Sequence, residues 1–226
     1  MKAKALRSIL SSILLALVTT SPVQAQELEY ALELGAMGGL TTYFGDANYG
    51  SPLKNMHPGG ALFGRYNLNP RMSLKLSLGF SKISGDASKS DNKYPELPGQ
   101  QWKFNNSLAD ISCVYELSFW GYGAGTGYKG TRRLAPYVQL GLGATVCNKE
   151  FAFNFPIGVG VKYKFAPRWN CGIDWTMHFT TTDKMDGIKD PYRIKSGTMK
   201  NKDSYSMLHL YVAYDLCPKY RKCNNE

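Results

Sequence analysis

The sequence predicts an all-β fold, an eight-stranded antiparallel transmembrane β-barrel of the outer-membrane type that follows a cleaved signal peptide. Three observations predict it. Apolar and polar residues alternate with a period of two in eight separate segments. After residue 25, no apolar run approaches the roughly 20 residues that a membrane helix needs. The polar faces of the eight segments carry charges of both signs among glycines and serines.

The first 25 residues have the features of an export signal. Lys2, Lys4 and Arg7 precede an apolar stretch at 9–18, and the Val-Gln-Ala at 23–25 is a small-residue cleavage site. The ten-residue apolar stretch is too short to be a helical membrane anchor, because a span needs roughly 20 residues. We therefore expect a signal peptide at 1–25, a barrel at 26–216 and a basic periplasmic tail at 217–226.

The charge of the mature chain is basic but diffuse. Cleavage removes three of the 27 basic residues and none of the 17 acidic ones, which leaves a formal net charge of +7. Nucleic-acid binding would need these charges gathered on one face with aromatic residues between them, whereas here they are scattered over strands and loops. We expect no nucleic-acid partner.

The first three predicted strands lie at 30–44, 59–68 and 72–81. The first two alternate weakly, with Glu33 and Arg65 on their polar sides. The third alternates throughout, with large apolar residues on one face and serine, lysine or glycine on the other: Met72, Leu74, Leu76, Leu78 and Phe80 against Ser73, Lys75, Ser77, Gly79 and Ser81.

Five further segments repeat the alternation, at 110–119, 137–146, 153–165, 169–180 and 208–216. In the sixth strand, Pro156 near the start suits a strand entrance. The total is eight, an even number, as in single-chain outer-membrane barrels.

Two architectures fit such strands: a soluble barrel or sandwich with the apolar face inward, or a membrane barrel with that face outward. The polar faces decide between them. Glycines would only weaken the exposed face of a soluble barrel, but inside a narrow barrel they leave room for charged side chains that pair. The predicted charge network of the lumen contains nine residues: Glu33, Arg65, Lys75, Asp110, Glu116, Lys162, Lys164, Asp174 and Asp215.

The connections alternate in length as a membrane barrel requires. Short turns at 69–71 and 166–168 fall on the periplasmic side, and longer polar loops around 45–57, 85–105 and 181–204 fall outside. Residues 120–135 depart from this rule, since a periplasmic turn should not be long, aromatic and basic. They are either a flexible glycine-rich linker with tyrosines in the interfacial aromatic belt, or a docking surface for a periplasmic partner. The candidate contacts here are Trp120, Tyr122, Tyr128, Lys129, Arg132 and Arg133.

The sequence contains no motif for catalysis or metal binding. The histidines, His57 in an outer loop and His178 and His209 on polar strand faces, have no activated serine at a fixed spacing, and no GxSxG or HExxH pattern occurs. The acidic segment at 85–92 lacks the ligand spacing of a calcium loop. We therefore predict no enzymatic activity, cofactor, metal or small-molecule substrate.

Five cysteines follow the signal peptide, an odd number that cannot pair completely within one chain: Cys113, Cys147, Cys171, Cys217 and Cys223. Cys113 and Cys171 lie on apolar strand faces and are expected to be inert. Cys217 and Cys223 flank the basic tail and could form a disulfide in the oxidising periplasm.

Several short motifs, in their order and spacing, resemble the PorG family, the outer-membrane barrel component of the type IX secretion system. They are Tyr-Phe-Gly-Asp at 43–46, Tyr-Asn-Leu-Asn-Pro-Arg at 66–71, Gly-Asp at 85–86 with Ser-Asp-Asn at 90–92, Pro-Tyr-Val at 136–138 leading to Leu-Gly-Leu-Gly at 140–143, Pro-Ile-Gly-Val-Gly-Val-Lys-Tyr at 156–163, and Asp-Leu-Cys-Pro-Lys at 215–219. The resemblance covers essentially the whole mature chain.

The resemblance implies a scaffold that docks a periplasmic ring of PorK-type and PorN-type proteins, in a system that exports proteins and supports gliding in some bacteria. It also implies a use for the basic tail, adding Lys219, Arg221 and Lys222 to the candidate partner contacts. The rival interpretation is a general small barrel in the outer membrane that acts as a passive pore, an adhesin or an envelope stabiliser. A pore is disfavoured because eight strands leave a lumen that side chains can fill.

Overall fold

The computed structural model describes residues 29–44, 56–86, 103–125, 130–147, 150–182 and 203–219. The predicted signal peptide lies outside these residues, as do most of the three predicted long loops. Eight strands form one closed antiparallel barrel: β1 (Glu29–Phe44), β2 (His57–Asn69), β3 (Met72–Asp86), β4 (Lys103–Ser118), β5 (Leu134–Cys147), β6 (Glu150–Ala166), β7 (Trp169–Thr180) and β8 (Ser204–Lys219). The predicted fold class is confirmed.

Each strand pairs with the next in the chain, and β8 closes the barrel on β1. Glu33 of β1 lies opposite Arg65 of β2 on one side and Asp215 of β8 on the other. The strands are 12 to 17 residues long, and a tilted strand needs about 9 to 11 residues to cross the hydrocarbon core. All eight are therefore long enough to span a membrane.

The two faces of the barrel wall differ as the alternation predicts. Large apolar side chains point outward and are exposed, among them Leu62, Phe80 and Leu142 at 66%, 73% and 65%. Charged and hydroxyl side chains of the intervening positions point into the lumen and are buried. In water, such an exposed apolar belt would cause aggregation, but in a lipid bilayer it is the surface that contacts hydrocarbon.

Most strands are longer than the alternation indicated. β3 continues to Asp86 and β4 begins at Lys103. His57 is the first residue of β2 and its ring contacts the Ser84 hydroxyl at 2.5 Å, so its predicted place in an outer loop is wrong.

β8 ends at Lys219, three residues beyond the predicted end at Leu216, because β1 begins at Glu29 and pairs with Lys219. Pro218 cannot donate to the ladder, so it weakens the strand signal in the sequence. Cys217 has a φ of 55°, which departs from the extended geometry of a strand.

The strand bounds leave two residues between β2 and β3 and between β6 and β7 at one end of the barrel, and two between β5 and β6 at the other. At the β2–β3 turn, the Asn69 side chain accepts hydrogen bonds from the backbone nitrogens of Arg71 and Met72, both at 2.9 Å. A register shift accompanies the β2–β3 turn, between Asn67 and Asn69, and the β6–β7 turn, between Lys164 and Ala166. These local bonds explain why a two-residue connection suffices between β2 and β3. We call this end of the barrel the periplasmic end, as the sequence predicts. Over the described residues, no helix is long and apolar enough to cross a membrane.

Candidate functional site

The nine predicted charges all lie buried inside the barrel. Six of them form what we call the central ion cluster: Glu33, Arg65, Lys75, Glu116, Lys162 and Asp174. Arg65 donates to Glu33 at 2.6 Å and pairs with Glu116 at 2.9 Å. Its guanidinium also lies against the rings of Phe63 and Tyr211, at 5.1 and 5.2 Å from their centroids. Arg65 is therefore fixed by two carboxylates and two aromatic rings.

Glu116 is the centre of this cluster. Besides Arg65, its carboxylate pairs with Lys75 at 3.3 Å and with Lys162 at 3.6 Å, and it accepts a hydrogen bond from Ser73. It is fully buried. One carboxylate thus contacts three cations that come from three different strands, β2, β3 and β6.

Lys75 links Glu116 to the far wall of the barrel. Its amino group donates to Asp174 at 2.5 Å and to Gln139 at 2.9 Å. The Gln139 amide in turn donates to Asp174 and to Thr176. Charged side chains therefore cross the lumen at mid-height and fill it.

Asp110 lies in a separate polar group nearer the outer end. It accepts hydrogen bonds from Asn154 at 2.8 Å, Tyr205 at 3.0 Å and Thr145 at 3.2 Å. His178 stacks on Tyr205, and its Nδ1 lies 3.8 Å from the Asp110 carboxylate. The carboxylate is held by neutral donors, so this group serves packing of the lumen.

Apolar side chains close the outer part of the lumen, a feature that sequence reasoning missed. Six inward-facing residues pack there: Tyr43, Ile83, Leu108, Cys147, Tyr205 and Met207. Ile83 lies two residues after Ser81 and Leu108 two residues before Asp110, so each is on the inward face of its strand. Extending the alternation of β3 and β4 beyond their predicted ends could have found them.

Glycines on the inner face make room for aromatic rings. A Cβ atom at Gly160 would lie 2.4 Å from Tyr137 Cζ, and one at Gly172 would lie 2.6 Å from Tyr211 Cζ. Both tyrosines are buried. The glycines on the polar faces are therefore part of the packing of a filled lumen.

Small cavities interrupt this packing among the described residues. One, of about 30 Å³, lies at mid-barrel among Lys75, Asp110, Asp174, His178 and His209. Another, of about 50 Å³, lies at the periplasmic end, and we call it the mouth cavity. A cavity needs roughly 10–15 Å³ to hold one water molecule, so each of these cavities holds only a few water-sized groups.

Residues of the 120–135 connection close the periplasmic end. The connection begins after Ser118, and a parallel bridge between Tyr122 and Arg132 joins its two described parts, 119–125 and 130–133. The Tyr122 side chain enters the lumen, where its hydroxyl donates to Asn170 at 2.7 Å. Lys162 and Lys164 lie near its ring, at 5.2 and 5.7 Å from the centroid.

A hydrogen-bonded chain holds Tyr122 in place. Asn170 donates to Asp215 at 2.7 Å, and Asp215 pairs with Lys164. Burial raises the pKa of Tyr122 well above its ordinary value, so the phenol stays a neutral donor. The interpretation of this segment as a flexible linker with its tyrosines in the aromatic belt is wrong for Tyr122, because polar partners inside the mouth bind its hydroxyl.

The other predicted partner contacts lie on the rim or outside the described residues. Trp120 donates to the Leu134 carbonyl, and Arg132 lies over its ring at 5.0 Å. Arg133 donates to the Ala124 carbonyl, which ties both ends of the segment together. Lys219 donates to the Asn67 carbonyl at 2.5 Å. Tyr128, Lys129, Arg221 and Lys222 lie outside the described residues.

The predicted disulfide has one described member. Cys217 is exposed and unpaired, and Cys223 lies outside the described residues. Within the described part of the chain, no group of three or more His, Cys, Asp or Glu side chains could hold a metal ion.

Comparison with known proteins gives a family and several distant structures. A family model described as the outer membrane protein beta-barrel domain matches residues 11–214. No curated protein matches the sequence. Among solved structures, Neisserial surface protein A is 12% identical, with 82% of this chain and 97% of that chain covered and a TM-score of 0.48. The corresponding values for OprG from Pseudomonas aeruginosa are 12%, 84%, 98% and 0.44, and for Ail of Yersinia pestis 9%, 83%, 99% and 0.45.

The family match covers most of the chain and agrees with the closed barrel, its lipid-facing belt and its charged lumen. The chain belongs to the outer membrane protein β-barrel domain family, and it is a small eight-stranded barrel of the bacterial outer membrane.

Proposed function

We propose that this barrel is a non-conducting, non-enzymatic scaffold whose periplasmic face docks the ring of a type IX secretion machinery. The observation that carries the proposal is the filled lumen. Three layers of side chains block it: the outer apolar cluster, the central ion cluster and the inserted Tyr122. A barrel without a passage acts through its surfaces, and its outer wall faces lipid.

The periplasmic face has the properties expected of a docking surface. Residues 119–125 and 130–133 are folded against the barrel by backbone hydrogen bonds such as Tyr122 to Pro70 and Lys164 to Arg133. The exposed Arg132 lies there beside Trp120. Arginine and tryptophan are enriched at protein interfaces. The resemblance to the PorG family supplies the partner class, PorK-type and PorN-type ring proteins.

The absence of an enzymatic role is part of the proposal. His178 and His209 are 3% and 6% exposed and line the mid-barrel cavity, on the inner face of the wall and away from the lipid-facing side. If replacing either histidine altered the modification of membrane lipids, the protein would be a lipid-modifying enzyme.

The test is deletion of the gene in its natural host, with complementation by the intact chain. We expect cargo of the secretion system to remain inside the cell, while outer-membrane permeability to small solutes stays nearly unchanged. Normal secretion in the deletion strain would overturn the scaffold function. A stable conductance of the purified barrel in planar bilayers would instead favour the rival passive pore.

A further inference from the structure

The mouth cavity at the periplasmic end is lined by cations and neutral donors. Three lysines, Lys162, Lys164 and Lys219, face it from β6 and β8, together with Tyr30 and the carboxylate of Asp215. Asp215 is already engaged by Lys164 and by Asn170. Lys162 is paired with Glu116 of the central ion cluster. Lys219 is therefore the cation of the cavity for which the described residues supply no carboxylate.

The Lys162 ammonium group can donate to an anion in addition to its long contact with Glu116. Lys162 is 3% exposed, and the carboxylate oxygen it pairs with, Glu116 Oε2, lies 3.6 Å away. Arg65 holds the same oxygen at 2.9 Å. An ammonium group forms up to three hydrogen bonds, and a buried cation gains most when its donors are used.

Lys219 also lines the cavity. Its amino group donates to the backbone carbonyls of Asn67 and Leu68, at 2.5 and 3.4 Å, and lies 5.9 Å from the centre of the Tyr66 ring. These partners are neutral, so a carboxylate arriving in the cavity would be a stronger acceptor.

The position of the cavity indicates whether the anion comes from a lipid or from a protein. Lipid headgroups surround the outer wall, where Lys219 lies near the outward-facing Tyr66. The rest of the cavity lining lies inside the ring of strand ends, between β1, the β2–β3 turn and Tyr122, and the cavity itself opens there. Its volume of about 50 Å³ suits one carboxylate rather than a larger group. We infer that the mouth cavity binds a glutamate or aspartate side chain from an acidic segment of a periplasmic partner protein. This inference rests on the proposed docking function and adds the chemistry of the partner.

The test measures binding of a fluorescent peptide of eight glutamates to the mature protein in phosphatidylcholine nanodiscs at low salt. We expect saturable binding that salt weakens. Lys219→Gln should weaken it about tenfold, as expected for loss of one charge-assisted hydrogen bond. Lys162→Gln should weaken it at least as much. Arg71→Gln removes an exposed charge of the same face outside the cavity and should change the affinity by about twofold or less.

Three results would overturn the inference. The first is no binding to the unmodified protein. The second is an equal loss in Arg71→Gln and Lys219→Gln, which would show diffuse attraction to the rim. The third is that phosphatidylglycerol in the nanodiscs competes with the peptide and abolishes its binding, and that this competition requires Lys219. A lipid headgroup would then be the occupant of the cavity.

Secretion assays separate this inference from the proposed function. If deletion of the gene blocks secretion but the unmodified protein does not bind the peptide, the inference alone fails. If the peptide binds as expected but the deletion strain secretes normally, the docking role in secretion fails and the anion preference of the cavity stands.

Discussion

Neutralising Glu116 should destabilise the barrel, because its carboxylate contacts three buried cations. In Glu116→Gln, Arg65 keeps Glu33 at 2.6 Å and Lys75 keeps Asp174 at 2.5 Å. Lys162 loses the carboxylate with which it pairs and becomes a buried charge without compensation. Removing one partner of a buried ion pair costs about 3–5 kcal/mol. We expect a loss of this size in the free energy of unfolding.

The assay is reversible urea unfolding in lipid vesicles, followed by the fluorescence of the four tryptophans and by the mobility of the folded barrel on gels. Ser77→Ala is the control inside the lumen, since it removes a neutral hydrogen bond to Ser112 and should cost about 1 kcal/mol. Adding Lys162→Met to Glu116→Gln removes the stranded charge and should recover part of the lost stability.

Two results would refute this reasoning. One is a loss below about 1 kcal/mol in Glu116→Gln, which would mean that water solvates the cluster. The other is a double variant no more stable than Glu116→Gln, which would mean that the stranded charge of Lys162 is not the cause.

Three further predictions concern the packing of the lumen, the mouth and the outer wall. Gly160→Ala should lower stability by about 1–3 kcal/mol in urea unfolding because its methyl group would displace the Tyr137 ring, whereas Gly79→Ala should change it by under about 1 kcal/mol. Tyr122→Phe should lose about 1 kcal/mol and speed hydrogen exchange in its own segment, and unchanged exchange would contradict its anchoring role. Leu140→Arg, at a lipid-facing position that is 63% exposed, should cost about 2–4 kcal/mol in vesicles, and a neutral effect would contradict the outward orientation of that face.

The barrel was predictable because each strand carries its own signal. A period-two pattern with charges such as Glu33 and Asp174 on the polar side predicts the number of strands and the face of each strand that points into the lumen. Neither prediction requires knowing which strands pair. The ends of the strands were less predictable. Ile83 and Leu108 belong to the strands but place apolar side chains on the inner face. The alternation of polar and apolar residues that predicts a strand is therefore lost at these positions.

The periplasmic mouth could not be predicted for a different reason. Tyr122 lies in a glycine-rich segment, and an exposed tyrosine at this depth is expected of any membrane barrel. Its true environment depends on Asn170, 48 residues away, and on the lysines of β6. Such contacts follow from the closure of the barrel, which brings distant strands together, and no local pattern records them.

The most direct test of the docking function is site-specific photo-crosslinking in the natural host. A photoreactive residue replaces Arg132 on the periplasmic face or, as control, the exposed Glu150 at the outer end. If the periplasmic face docks the ring, position 132 captures a PorK-type or PorN-type ring protein and position 150 captures none. Capture from both positions, or from neither while the barrel is folded, would contradict the docking function.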